Sequence, residues 1–208
     1  MAALKPGYWW RSLIWPALPG TVPGWAFSAI AARSCTGGLR RISDIGQRYL
    51  IALGSNQRHQ RFGAPERVLA AALLALDRKG LKLERAGPVM RSAPLGPSRR
   101  RYANGAALIK TKLKPAAMLA RMKAIEAQFG RRTRGQRWSA RVLDLDLVLW
   151  SGGTWCSPSL TIPHPQFRIR SFVLTPALRI AGTWRDPLTG LTLRQLHARL
   201  MQPVPRGA

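Results

Sequence analysis

Acidic residues are scarce in this chain. Eight Asp and Glu stand against 34 Lys and Arg over 208 residues, a formal net charge of +26 at neutral pH. Such a balance means either a solvated, arginine-rich surface or a polyanionic partner: nucleic acid, nucleotide or membrane surface. Cysteine is nearly absent too. Cys35 and Cys156 lie far apart without metal-ligating neighbours, which excludes a disulfide framework and a zinc ribbon and suits a reducing, cytoplasmic setting. No apolar run is long enough to span a bilayer, which takes about 20 residues. The stretch from Leu13 to Ala32 comes nearest, but Pro16, Pro19, Gly20, Pro23 and Gly24 interrupt it, so no membrane helix is expected. There is also no Walker lysine and no dinucleotide glycine fingerprint, and no internal repeat.

What is present divides at about residue 47. Hydrophobic residues make up 46% of the chain, enough for one domain with a core. Residues 1–47 hold four of the eight tryptophans (Trp9, Trp10, Trp15, Trp25), no acid before Asp44, and no clean period of 2 or 3.6. They read as a divergent, disordered N-terminal extension to a domain over 48–203.

From Tyr49 the pattern is regular. An apolar run to Gly54 predicts a buried strand ending in the Gly54-Ser55-Asn56 turn. Pro65 and Glu66 open a helix that Gly80 closes, and residues 82–92 read as a second strand. A loop with two prolines and three arginines follows, then a third strand over about 102–112. Pro115 opens a second helix, ended by Gly130, and a strand over about 142–150 comes after an arginine-dense loop. Strand, helix, strand, strand, helix, strand is the order of an α+β, ferredoxin-like βαββαβ core, with an antiparallel sheet and helices on one face. The C-terminal extension carries an apolar stretch, Phe172 to Ile180, and a final helix near 191–200.

The fourth strand carries the clearest chemical signal. In Leu143-Asp144-Leu145-Asp146-Leu147 the aspartates share one face and the leucines the other, with the acidic Cα atoms roughly 7 Å apart. Like charges that close repel unless a cation intervenes, and aspartate is a poor strand former. The pair therefore points to a divalent metal, with Mg²⁺ the default for oxygen ligands beside phosphate. Just upstream, Arg131, Arg132, Arg134, Arg137 and Arg141 make a polyphosphate clamp or, alternatively, a solvated basic loop. His164, held between Pro163 and Pro165, is placed for a phosphate or proton-transfer role or for a structural one. Tyr102, Asn104, Trp138 and Phe172 would suit a flat heterocycle if they converge, and ordinary core if they do not.

Together these stretches resemble the 6-hydroxymethyl-7,8-dihydropterin pyrophosphokinases of folate biosynthesis over about residues 49–200. The similarity is carried by Ala52-Leu-Gly-Ser-Asn56, Ser92-Ala-Pro-Leu-Gly-Pro97, Tyr102-Ala-Asn104, Glu126 through Arg131, Arg137-Trp138, Arg141 through Asp146, Leu160-Thr-Ile-Pro-His164 and Arg170-Ser-Phe172. The resemblance implies an αβα fold and transfer of pyrophosphate from ATP to the pterin hydroxymethyl group, with AMP as the other product. It implies two Mg²⁺ ions on Asp144 and Asp146, and catalytic roles for Arg131, Arg141, Asp144 and Asp146. Glu126, Arg131, Arg141, His164 and Arg170 would meet ATP. Ser92, Ala93, Leu95, Tyr102, Asn104, Trp138 and Phe172 would line the pterin pocket. A functional hand-off to dihydropteroate synthase is implied as well, with no nucleic-acid or membrane partner.

The chain departs from the family at three places. Ser139-Ala140 stands where many members have Gly-Pro, Pro165 where some have tyrosine, and Lys123 where glutamine is frequent. The main rival reading is an RNA-recognition domain, which shares the strand–helix order and suits a basic chain. Such domains stack bases on aromatics of their central strands. Here those strands offer only Tyr49 and Tyr102, and the aspartate pair would repel RNA.

Overall fold

The computed structural model describes residues 46–93, 100–130 and 141–202. The expected N-terminal extension, Leu95, and the arginine loop with Arg131 and Trp138 lie outside the described residues. The described residues form seven strands, four α-helices and one 3-10 turn, in the order β1 (Gln47–Ser55), α1 (Pro65–Leu76), β2 (Leu81–Ala86), β3 (Met90–Ser92), β4 (Tyr102–Thr111), α2 (Pro115–Gln128), β5 (Asp144–Trp150), β6 (Trp155–Ser157), β7 (Leu160–Ile162), the 3-10 turn (Phe167–Ile169), α3 (Ser171–Ala181) and α4 (Leu193–Met201). The main sheet runs β2-β4-β1-β5 with every pairing antiparallel, and β3 adds to β4. β6 and β7 make a separate hairpin.

The two central strands are buried on both faces, so their side chains alternate between two cores. Tyr49, Ile51 and Leu53 of β1, with Ala103, Ala107 and Ile109 of β4, meet α1 and α2. Prolines open both helices, where a fixed φ suits the first turn and the missing N–H costs nothing. Val68, Leu69, Ala72 and Leu76 recur at helical spacing and give α1 its buried stripe. Gly130, at φ +81°, ends α2 in the left-handed conformation that glycine adopts without penalty.

The opposite face corrects the one-sided helix layer expected from element order alone, and it bears out the αβα fold that the resemblance implies. Leu50, Ala106, Leu108, Val148 and Leu149 pack there against Phe167, α3 and α4. The apolar Phe172–Ile180 stretch is thus the helix that covers the second face, and the fold is an αβα sandwich. α4 begins with a capping box between Thr192 and Gln195. A second correction falls on residues 82–92, which form two strands rather than one. Gly87 interrupts them: its N–H reaches the Ala106 carbonyl, and a Cβ there would sit 2.7 Å from the Pro176 carbonyl oxygen. The break lets the α3 backbone lie against the sheet.

Candidate active site

Strand register builds the site. On β1, Gly54 lies between Asn104 of β4 and Asp144 of β5, and Ala52 lies between Ala106 and Asp146. Cross-strand partners project to the same face, here the α3/α4 face. The two aspartates and Asn104 therefore stand at one end of that face around a floor of Gly54 and Ala52, which have almost no side chain. One step further down, Leu50 and Leu108 begin the apolar core. The pairing of β1 with β5 shifts register between Leu50 and Ile51. The extra residue, Val148, lets both Val148 and Leu149 bury against α3 and α4 while Asp144 and Asp146 keep their facing above them.

β5 is an edge strand, and its outward groups are met by other segments. The Leu145 N–H, between the two aspartates, donates to Glu126 Oε1 at 2.9 Å. The Val148 carbonyl accepts the His164 N–H at 3.0 Å. Glu126, only 2% exposed, approaches from α2, behind the face that carries the aspartates.

Cationic and donor groups surround the acidic pair. Arg141 Nη1 donates to Asp144 Oδ1 at 2.7 Å. Its backbone is clasped by buried Asn56, whose N–H donates to the Arg141 carbonyl (3.2 Å) and whose Oδ1 accepts the Arg141 N–H (2.9 Å). Arg170, just before α3, is 8% exposed. It donates to Gln166 Oε1 at 2.6 Å and sits 5.8 Å from the Phe172 ring centre. Burial lowers its pKa to about 10, while Asp146 and Asp144 pull it back up. Burial and the neighbouring Arg170 charge likewise lower the His164 pKa to about 4, so the ring is neutral near pH 7. The Gln166 N–H donates to His164 Nδ1 at 3.2 Å, which leaves the proton on Nε2.

At the other edge of the floor, Asn104 Nδ2 donates to Ser92 Oγ at 2.8 Å, an orientation that turns its Oδ1 over Gly54. The Tyr102 hydroxyl is pushed to higher pKa by burial and then by the Asp144 charge, with the Arg141 charge opposing them. Phe172 is partly buried against the second core, and Ala93 is exposed at the end of β3.

The structure thus gathers Asp144, Asp146, Arg141, Arg170, His164, Asn104, Ser92, Tyr102 and Phe172 around one end of the sheet, and places Glu126 behind it. Sequence reasoning missed two parts. The Gly54-Ser55-Asn56 motif reads from sequence as a tight turn or an anion-facing one, not as the Asn56 clasp on Arg141 or the Gly54 floor. The strand-end position of Gly54-Ser55-Asn56 was the available signal. Among the described residues no group of three or more His, Cys, Asp or Glu could hold a metal by itself, and no helix is long and apolar enough to cross a membrane.

An αβα sandwich with an acidic pair, framed by arginines and facing an oriented amide, defines an α+β domain with the charges to handle an anion. The chain belongs to the 7,8-dihydro-6-hydroxymethylpterin-pyrophosphokinase (HPPK) family, whose model matches residues 50–182. It is 42% identical to a Synechocystis 2-amino-4-hydroxy-6-hydroxymethyldihydropteridine pyrophosphokinase over 127 residues, 61% of this chain and 64% of that protein. It is 38% identical to the Pseudomonas aeruginosa protein of the same name, over 68% of this chain and 85% of that one. A pea "Folate synthesis bifunctional protein, mitochondrial" is 33% identical over 66% of this chain but only 26% of its own length. Among solved structures, a Plasmodium falciparum HPPK-DHPS has a TM-score of 0.59 at 14% identity, covering 74% of this chain and 45% of that one. That likeness bears on the fold alone.

Proposed function

We propose that this chain transfers pyrophosphate from ATP to 6-hydroxymethyl-7,8-dihydropterin, giving AMP and the pterin diphosphate. One observation carries the reading: Asn104 and Asp144 flank Gly54 in a single cross-strand row. A ring held edge-on by the Asn104 amide therefore lies beside the groups that face phosphate. Family membership supports the same substrates.

Asp144 and Asp146 would hold Mg²⁺, two ions on the family's pattern. The donor set fits that metal, which takes one or two carboxylates and completes its shell with water and substrate phosphates. When bound, it would neutralise phosphate charge and draw electron density from the phosphoryl oxygens. The chain's own residues supply positioning and further charge. Arg141, Arg170 and Arg131 would meet the phosphate oxygens, and neutral His164 would donate from Nε2. Ser92 and Asn104 would fix the ring, with Tyr102, Phe172, Trp138, Leu95 and Ala93 completing its pocket. The hydroxymethyl oxygen attacks the β-phosphorus and gives up its proton to solvent, the bond between the β-phosphorus and the α-phosphate oxygen breaks, and AMP departs with that oxygen. No covalent enzyme intermediate is needed, since such transfers depend on alignment and charge stabilisation. Glu126 acts indirectly, by holding β5 between the aspartates. We place the reaction in the cytoplasm, with the pterin diphosphate passed to a dihydropteroate synthase.

The test is direct. ATP, Mg²⁺ and the hydroxymethyl pterin are mixed with the protein and AMP is followed by chromatography. Asp146→Ala should abolish AMP formation with the melting temperature unchanged. No AMP from the native sequence would remove the proposal, and near-normal turnover in the variant would remove the metal assignment.

A further inference from the structure

We propose that Gln166 is a positioning residue that sets two phosphate-facing groups at once. Its side-chain oxygen holds the Arg170 guanidinium, and its main-chain N–H holds the His164 ring. The inference rests on the functional reading above for its kinetic consequence, but not for its geometry.

Gln166 lies one residue after Pro165 and immediately before the 3-10 turn Phe167–Ile169. The turn fixes where it points. Phe167, at its start, is 1% exposed in the second core. Arg168, in its middle, makes two hydrogen bonds to fully buried Asp186, Nε–Oδ2 at 2.7 Å and Nη2–Oδ1 at 2.8 Å. The backbone around Gln166 is therefore anchored from both directions: upstream by the His164 N–H on Val148 of β5, downstream by the Arg168–Asp186 pair.

From that anchored position Gln166 makes two separate contacts. Oε1 accepts from Arg170 Nη2 at 2.6 Å. An arginine side chain has several rotatable bonds, and ordering it costs rotamer freedom. A bond made before substrate arrives meets part of that cost in advance, which favours binding. The main-chain N–H donates to His164 Nδ1 at 3.2 Å. In a neutral imidazole one nitrogen donates and the other accepts. Occupying Nδ1 as acceptor makes Nε2 the donor, the form that an anionic oxygen can use. Glutamine suits this task because its amide oxygen accepts from arginine without adding a negative charge. An acidic residue there would offset the Arg170 charge that phosphate needs.

The experiment uses Gln166→Met, which removes the oxygen but keeps the main-chain N–H and much of the volume. Gln166→Glu keeps an oxygen. Steady-state kinetics measures KM for ATP and for the pterin separately, and ¹⁵N NMR observes the His164 ring and the Arg170 guanidinium. In Gln166→Met the KM for ATP should rise about tenfold, the usual effect of losing one hydrogen bond to a charged group. The KM for the pterin should stay within about twofold, well below the effect of one such bond. The guanidinium Nη signals should be resolved in the native protein and in Gln166→Glu, and averaged in Gln166→Met. His164 should keep its proton on Nε2 in all three.

An unchanged KM for ATP in Gln166→Met, an equal rise for both substrates, or a proton on His164 Nδ1 would overturn the proposal. If the native protein does not turn over ATP, the functional reading falls and the NMR signals still decide the geometry. Resolved Nη signals lost on Gln166→Met then support the positioning role, and averaged signals in the native protein refute it.

Discussion

Glu126→Met should damage both the fold and the site, although Glu126 lies behind the face that carries the aspartates. Its Oε1 accepts the Leu145 N–H at 2.9 Å, and Leu145 is 5% exposed. The donor belongs to an edge strand and sits between the two aspartates. Methionine fills a similar volume without an acceptor, so the cavity cost is small and the lost hydrogen bond dominates. Leaving a buried N–H unmade costs about 1–3 kcal/mol. At about 2–4 °C per kcal/mol for a chain of this size, a loss of ~2 kcal/mol lowers the melting temperature by roughly 4–8 °C. The catalytic effect should exceed what stability alone predicts, because β5 can then shift relative to α2. A displacement of about 1 Å can cost on the order of 100-fold in rate, so kcat should fall about 10–100-fold at a temperature where the variant is folded. Glu126→Gln keeps an acceptor oxygen and should lose less than half as much stability. Thermal denaturation by circular dichroism and AMP release read the two effects. A methionine variant that melts and turns over like the native protein would refute the support role.

Two further predictions follow from buried ionisable groups. The unfolded chain protonates His164 near pH 6.5, while the fold delays this to about 4. Between those values the unfolded state binds more protons, so stability is full above about 6.5 and declines as pH falls toward 4. The urea midpoint should therefore be lower at pH 4.5 than at pH 7, and His164→Gln should lessen that difference; an identical pH profile in the variant would exclude His164 as the source. Asp186 is pushed up by burial, but hydrogen bonds from Arg168, Thr189 and the Leu188 N–H, with the Arg168 charge, more than offset this and hold it below the usual range. Asp186→Ala strands the partly buried Arg168 and should cost about 3–5 kcal/mol, the usual effect of breaking a buried pair from one side. A loss under about 1 kcal/mol, typical of exposed pairs, would mean solvent already screens it.

Local pattern made much of this protein legible. A short continuous apolar run marked β1, and apolar residues at helical spacing marked α1 and α2, because periodicity is set by backbone geometry alone. Prolines at 65 and 115 and Gly130 bounded the helices for equally local reasons. The Asp144/Asp146 pair was legible because strand alternation forces both onto one face. The side covered by α3 was not, since an apolar helix carries no label for the sheet face it will meet. The break between β2 and β3 had a local signal in Gly87-Pro88, but the need for glycine at 87 did not, since it comes from Pro176, distant in sequence, whose carbonyl oxygen a Cβ there would meet at 2.7 Å.

The sequence by itself determined the α+β element order, the acidic pair on a common strand face and the arginine-rich surroundings, all of which follow from spacing along one chain. Tertiary structure alone decided that Asn104, Gly54 and Asp144 share a row, that Asn56 clasps Arg141, that Glu126 meets β5 behind the aspartates, and that Gln166 contacts both Arg170 and His164. Those relations depend on register between strands and on contacts across dozens of residues. Many sequences with the same local periodicity could satisfy them differently, and only the packed sheet selects one.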